Sequence, residues 1–207
     1  MGIHKKDLVL IDKALAAQNK DFQDLSMCEL GSQSLRGELS EAFKSPKEYF
    51  QSIGCKHVSI DLNGERNALQ INLNHDLRKN YPMFMGHFDM ITNFGTSEHV
   101  LDQYQCWKNI HDLVKTGGSV VNSVPEVNSW PNHCQYYYDL TFFQELCEKC
   151  DYQIVQNSVY ENTEKTSLNL IECVFIKQID VPFMSREEFS ILTIIKTNFS
   201  DPEQWGY

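Results

Sequence analysis

Short apolar runs that alternate with helix-period segments predict an α/β fold. The expected architecture is a seven-stranded, mostly parallel sheet with helices on both faces and an antiparallel hairpin at its C-terminal end. Three observations carry this. Strand-like and helix-like segments alternate from Lys5 to Lys177. Several strand-like runs end in an acid, an asparagine or a glycine, as parallel strands do where their carboxyl ends meet a ligand. The last two runs are separated only by Glu161 to Lys165, too few residues for a crossover helix, so they pair antiparallel.

The elements follow in order. Leu8, Ile11, Leu15 and Val9 recur at helical spacing and predict an amphipathic helix over Lys5 to Gln18. Ser26 to Leu30 is a short apolar run and reads as a buried strand. Ser34 to Phe43 has no clear period. Ser45, Pro46 and Glu48 form a helix start with a capping box, and Gly54 ends that helix. Lys56 to Asp61 is the second strand and Ala68 to Leu73 a weaker third. Phe88 to Asn93 is a buried strand followed by a small-residue turn at Gly95 to Ser97. Asp102 to Val114 is a helix with Trp107, Ile110, His111 and Val114 on one face, closed by Gly117 and Gly118. Ser119 to Val124 is the next strand, stopped by Pro125. A polar, aromatic loop runs to Tyr138, and Asp139 caps a helix through Phe142, Phe143, Leu146 and Cys150. Tyr152 to Tyr160 and Ser167 to Lys177 form the hairpin. Ser185 and Glu188 make a second capping box that opens a helix or ordered tail toward Lys196.

At 207 residues the chain is expected to form one domain, 1–207, with a core over about 24–177, the helix 5–18 before it and an extension 178–207 after it. No apolar run approaches the roughly 20 residues of a membrane helix. The net charge of −10 argues against a surface that tracks nucleic-acid phosphates. The seven cysteines lack metal-site spacing; Cys147 and Cys150 sit in a helical pattern, so no metal is expected, and reduced thiols point to the cytoplasm.

Polar strand ends gather the chemistry. Glu29 and Gly31, Asp61, Asn72 and Asn74, and Asn93 and Gly95 each stand where a sheet of this class presents ligand contacts. Asp61 closes the second strand about thirty residues after the first, and a carboxylate so placed accepts two parallel hydrogen bonds from ribose hydroxyls. Four such ends together favour a bound nucleoside. The loop Gly31-Ser32-Gln33-Ser34-Leu35 has too few glycines for a pyrophosphate cradle, which disfavours an NAD-dependent enzyme.

On these motifs the chain resembles the class I S-adenosylmethionine-dependent methyltransferases, a Rossmann-like three-layer sandwich, over roughly Asp24 to Lys177. CELG is similar to the first family motif, HVSIDLNG to the second and FDMITNFGTSEHV to the fourth; HDLVKTGG resembles the turn before the fifth strand. SEHVLDQY and NHCQYYYDLTFFQELCEKCDYQIV resemble the branch that acts on small molecules. The resemblance implies S-adenosyl-L-methionine as cofactor and S-adenosyl-L-homocysteine as product. It places Glu29 and Gly31 under the methionine part, with Ser32 and Gln33 near its amino and carboxylate groups. Asp61 would hold the ribose, Leu62 would pack on adenine, and Asn72 with Leu73 would meet the adenine amino group. Asn93, Phe94 and Gly95 would border the transferred methyl. The loop departs from the family in lacking its second and third glycines; a cofactor without phosphate does not require them.

Methyl transfer from a sulfonium asks mainly for alignment, and an oxygen or nitrogen acceptor also needs a base. His99 and His133, after the fourth strand and in the loop after the fifth, are the candidate catalytic residues. Each has an ordinary alternative, a helix cap for His99 and loop packing for His133. Trp130, Tyr136, Tyr137 and Tyr138 can wall an acceptor pocket or simply pack over the sheet. The expected activity is methyl transfer to an oxygen or nitrogen of a small molecule, with no nucleic-acid or membrane partner and with monomer or homodimer both open. The alternative is a catalytically inactive, cofactor-binding or scaffold protein on the same fold.

Overall fold

The computed structural model describes residues 2–163 and 168–197. Met1, Ser167, part of the Glu161 to Lys165 connection and the tail beyond residue 197 lie outside the described residues. Seven strands form one sheet: β1 (Ser26–Leu30), β2 (Lys56–Asp61), β3 (Leu69–Gln70), β4 (Phe88–Phe94), β5 (Val114–Pro125), β6 (Tyr152–Tyr160) and β7 (Leu170–Lys177). Their order is β3-β2-β1-β4-β5-β7-β6. The strands β1 to β5 run parallel, and β7 is antiparallel to both β5 and β6. The chain order reverses between β1 and β4, which makes the carboxyl ends of these two strands the switch point where this class of sheet holds ligands.

Side chains alternate across the sheet into two cores. Cys28 and Leu30 of β1, Ile91 of β4 and Val120 and Val124 of β5 face one layer. That layer is built by helix α5 (Gln103–Leu113), with Cys106, Trp107 and Ile110, and helix α6 (Leu140–Lys149), with Phe142, Phe143 and Leu146. Met27, Met90 and Val121 face the other, where helix α1 (Lys5–Gln18) lays down Leu10, Ile11, Ala14 and Leu15 and helix α3 (Pro46–Ser52) adds Phe50. The short helices α2 (Glu38–Ala42), α4 (Leu77–Asn80) and α7 (Arg186–Phe189) lie in the connections. Among the described residues, no helix is long and apolar enough to cross a membrane.

The predicted caps at Ser45 and Asp139 hold: Ser45 Oγ accepts from Glu48 N–H at 3.2 Å, with Glu48 reaching back to Lys44 N–H and not to Ser45, and Asp139 Oδ1 accepts from Phe142 N–H at 2.9 Å. Asp102 Oδ1 adds a cap, accepting from Gln105 N–H at 3.0 Å. Each satisfies one of the donors that a helix start leaves open.

Five expectations need correction. Val9 is 52% exposed, because the buried stripe of α1 passes through Leu10 and Ala14 instead. The third strand shrinks to Leu69–Gln70, an exposed edge that pairs only with Ile60 and Asp61. The strand β5 begins at Val114, directly from α5, and not at Ser119. Val114 pairs with Phe88 and Ser119 with Met90, so Lys115 to Gly118 bulge out of the ladder. Tyr136–Tyr137 is a two-residue strand within the predicted loop, paired with Ile195–Lys196, and the C-terminal helix stops at Phe189.

The amino edge of the sheet is tied by Asp89. It accepts from Lys20 Nζ at 2.6 Å, Ser26 N–H at 3.0 Å and Lys115 Nζ at 3.1 Å. Burial pushes its carboxyl up, yet these hydrogen bonds outweigh burial and hold it below the ordinary aspartate range. A carboxyl lowered by folding adds stability above its unfolded pKa, and that stability is lost as pH falls through the folded value. The melting-temperature gap between the parent and Asp89→Asn is therefore expected to close on acidification. A gap that stays constant into strong acid would contradict this reading.

Candidate functional site

At the switch point, β1 ends in Leu30 and the chain turns at Gly31, whose φ is +75°. A Cβ there would collide with Thr96 Oγ1 and lie 2.8 Å from Gln33 Nε2, so the turn demands glycine. Glu29, 1% exposed, supports the loop from beneath. Its carboxylate accepts from Gln33 N–H at 3.0 Å and Ser59 Oγ at 3.0 Å, and His57 Nε2 lies 3.1 Å away. Gln33 turns inward and donates through Nε2 to Thr96 Oγ1 at 3.3 Å. Thr96 Oγ1 in turn donates to Leu30 carbonyl at 2.8 Å. Gln33 thus fills space beneath the loop with a side chain where a glycine-rich turn would leave room.

Asp61 stands at the end of β2 facing this loop. It accepts from Ser32 N–H at 2.6 Å and from Asn63 N–H at 3.0 Å. Arg66 and Ser32 Oγ add two further ties between the loops after β1 and β2. Gly31, Asp61, Leu62, Asn72, Leu73 and Thr96 line one narrow cleft of about 20 Å³, and a second hollow of about 220 Å³ continues it past Leu62 and Asn72 toward Leu77 and Tyr81. The first part has room for about one water. Asn72 Oδ1 accepts from the Asn74 N–H and side-chain amide, and Asn74 Oδ1 accepts from Asp102 N–H at 2.8 Å.

Beyond β4 the chain turns again at Gly95, with φ +77°, into a 3₁₀ turn at Ser97–His99. Asn93 is fully buried: its amide donates to Ser97 Oγ and Asn122 Oδ1, and its Oδ1 accepts from Ser97 N–H. Tyr138 and Gln103 hold the same serine from the other side. This turn places Glu98 and His99 opposite His133. Glu98 is fully buried, and burial pushes its carboxyl up to about 8. Burial first, and then His133, pulls His99 down to about 3, and burial also lowers His133. The two imidazole rings meet edge to face with centroids 5.1 Å apart.

The loop that carries His133 is bent through three left-handed residues, Asn128, Trp130 and Asn132. For Trp130 such a backbone costs about 1–2 kcal/mol, and its indole is fixed by donating to Asn169 carbonyl at 2.9 Å. Trp130 also borders a cavity of about 200 Å³ at the carboxyl edge of the sheet, closed by Gly2, His4, Lys6, Phe94, Ser123 and Tyr160. The larger hollows, of about 540 and 790 Å³, lie at the opposite edge; the bigger is lined by Arg78, Lys108 and Lys115, whose charges are paired with Asp112 and Asp89. Neither touches a predicted site residue.

No protein-family model matches the chain, and no curated protein matches it in sequence. Solved structures do. The 1,6-didemethyltoxoflavin-N1-methyltransferase of Burkholderia thailandensis, with 1,6-didemethyltoxoflavin and S-adenosylhomocysteine bound, superposes with a TM-score of 0.57 at 14% identity, over 84% of this chain and 79% of that one. The geranyl diphosphate C-methyltransferase of Streptomyces coelicolor, in complex with Mg2+, geranyl diphosphate and S-adenosylhomocysteine, gives 0.54 at 10% identity over 83% and 77%. The [4+2]-cyclase SpnF gives 0.58 at 9% identity over 84% and 81%. The fold is that of the class I methyltransferases.

Within this methyltransferase fold the predicted residues fall into four groups. Gly31, Asp61, Leu62, Asn72 and Leu73 line the cleft. Glu29, Gln33 and Asn93 stand behind it, their side chains occupied in holding the loops, and Ser32 meets Asp61 through its backbone. Phe94 turns to the α1 layer and the 200 Å³ cavity, with Gly95 as the turn beside it. His99 and His133 come together although 34 residues separate them in sequence. Tyr138 belongs to the core against Trp107 and not to a pocket wall. Sequence reasoning assigned no part to Thr96, Ser59 or His57, which are ordinary residues without a motif, nor to Glu98, whose signal was its place beside His99 in SEHV.

Proposed function

We propose that the protein binds S-adenosyl-L-methionine and transfers its methyl group to an oxygen or nitrogen of a small molecule. The observation that carries this reading is the convergence of Gly31, Asp61, Leu62, Asn72 and Leu73 on one cleft at the switch point of the sheet. Asp61 is placed to take ribose hydroxyls once the loop opens, exchanging its bond to Ser32 N–H for bonds to the sugar. Leu62 and Leu73 offer apolar contact to adenine, and Asn72 offers an amide to its edge. The bound neighbours described above, with S-adenosylhomocysteine in the same fold, support this choice of cofactor.

The acceptor would enter the 200 Å³ cavity beside Phe94 and Trp130, which suits a small molecule. Its nucleophilic atom attacks the methyl carbon as the carbon–sulfur bond breaks, the electron pair stays on sulfur as the thioether of the product, and the proton shed by the oxygen or nitrogen leaves to solvent water. Alignment by the cleft and the cavity supplies most of the acceleration. An imidazole held as low as His99 is a weak proton acceptor. In this reading His133, whose ring lies 5.0 Å from Trp130, stands behind the cavity wall with His99 beside it, and neither serves as the base.

The test is equilibrium binding of S-adenosylmethionine and S-adenosylhomocysteine by calorimetry. Binding is expected, and Asp61→Ala is expected to weaken it by about 1–3 kcal/mol, the scale of hydrogen bonds to a charged group. Absence of binding by either compound at high concentration would remove the methyl-transfer reading. The cyclase neighbour shows that this fold also carries other chemistry, so binding without product release in a metabolite screen would favour the alternative, an inactive cofactor-binding protein.

A further inference from the structure

We infer that Glu98, His99 and His133 form a binding site for one divalent transition-metal ion on the acceptor side of the cleft. One ligand atom from each of the three lies within 4.8 Å of the others, and His99 Nε2 stands 3.9 Å from Glu98 Oε1. Donors bound to one ion at about 2.1 Å are roughly 3.4 Å apart, so side-chain rotations of about 1 Å complete the set.

A second observation is independent of that spacing. The Glu98 carboxyl is fully buried, and neither of its oxygens has a hydrogen-bond partner in another described residue. A buried carboxyl in that condition needs a physical reason, and an ion is one of the few that suffice. It is aimed at the two imidazoles across the turn and does not face the solvent.

The donor chemistry selects the ion. Two imidazoles and one carboxylate suit zinc, iron(II), cobalt(II) or manganese(II) better than magnesium or calcium, which prefer oxygen. Three protein ligands leave at least one coordination position for a water or a substrate atom. Trp130, whose ring lies 5.0 Å from His133, borders the cavity proposed for the acceptor. The scaffold is already fixed: Asn93, Tyr138 and Gln103 pin Ser97, the residue next to Glu98. If the methyl-transfer reading holds, the ion would take a hydroxyl or other oxygen of the acceptor as its remaining ligand. That role rests on the reading; ion binding itself does not.

The test uses the full chain, freed of metal by chelation, titrated with Zn2+, Co2+ and Mn2+ under dialysis and metal analysis. About one ion per chain is expected. Glu98→Gln and His133→Ala are each expected to weaken binding at least about tenfold. His133 lies in a loop and Glu98→Gln preserves shape, so circular dichroism identifies any variant that fails to fold and the other decides. Bound Co2+ is expected to give weak visible bands without thiolate charge transfer. Substoichiometric binding of all three ions, unchanged affinity in the folded variants, or a thiolate signature that places the ion on Cys134 would each overturn the proposal. S-adenosylhomocysteine affinity, measured in parallel, separates failure of the metal site from failure of the methyltransferase reading.

Discussion

Trp107→Ala is expected to cost about 3–5 kcal/mol, the range for deleting a large aromatic from a packed core. Trp107 is 1% exposed and sits where α5 and α6 meet over the sheet. Its ring packs against Phe142 at 5.3 Å, Phe143 at 5.7 Å and Tyr138 at 6.0 Å between centroids. The three neighbours come from the end of one loop and the first turn of one helix, so the cavity cannot collapse without moving both. The Tyr138 hydroxyl also donates to Gln103 Oε1 at 2.6 Å and accepts from the Ser97 hydroxyl at 3.0 Å. The loss is therefore expected to reach the Ser97–His99 turn as well as the global midpoint. Urea unfolding measures the first effect; ligand affinity at a urea-free, fully folded temperature measures the second. A cost below about 1 kcal/mol would show that the cluster repacks, contrary to the close packing of protein interiors.

Glu29→Ala is the second large effect, about 3 kcal/mol or more, the scale for removing one member of a buried polar pair. The substitution strands Gln33 N–H and Ser59 Oγ beneath the loop and removes the carboxylate beside His57. The donors left behind are buried, so water does not replace the lost partner cheaply. Glu29→Gln keeps the volume and one acceptor oxygen, and is expected to recover much of the stability. Chemical unfolding of the two variants separates packing from hydrogen bonding. Equal loss in both would mean that the charge, and not the acceptor, holds the loop.

The strands β1 and β2 were legible in the sequence because their burial leaves a plain pattern. All five residues of Ser26–Leu30 are buried, and Lys56–Asp61 ends in the acid that faces the loop. Caps at Ser45 and Asp139 were legible because short oxygen-bearing side chains bond the helix start locally. What escaped depends on distant partners. Leu69–Gln70 pairs over two residues only, and no local pattern says where an edge ladder stops. The bulge at Lys115 to Gly118 is set by register against Phe88 and Met90, so Gly117 and Gly118 read as a helix end when they interrupt a strand. The cleft residues could be read from strand ends; the inward turn of Gln33 onto Thr96 could not, since 63 positions separate them. Glu98 went unassigned because only burial, absent from a sequence, distinguishes a sealed carboxyl from a solvated one.

The cysteines give the molecule a built-in clock. All seven thiols are free and buried, spread over both layers and over β1, α5, α6 and β7. Burial raises the pKa of Cys28, Cys55, Cys106, Cys134, Cys150 and Cys173, to about 12 for Cys55 and about 11 for Cys150, so these offer little thiolate to an alkylating reagent while the chain stays closed. Each thiol becomes reactive only when its own segment opens. The rate at which a modifying reagent reaches Cys28, compared with Cys134, then reports separately how often the sheet centre and the His133 loop come apart, with no label added to the protein.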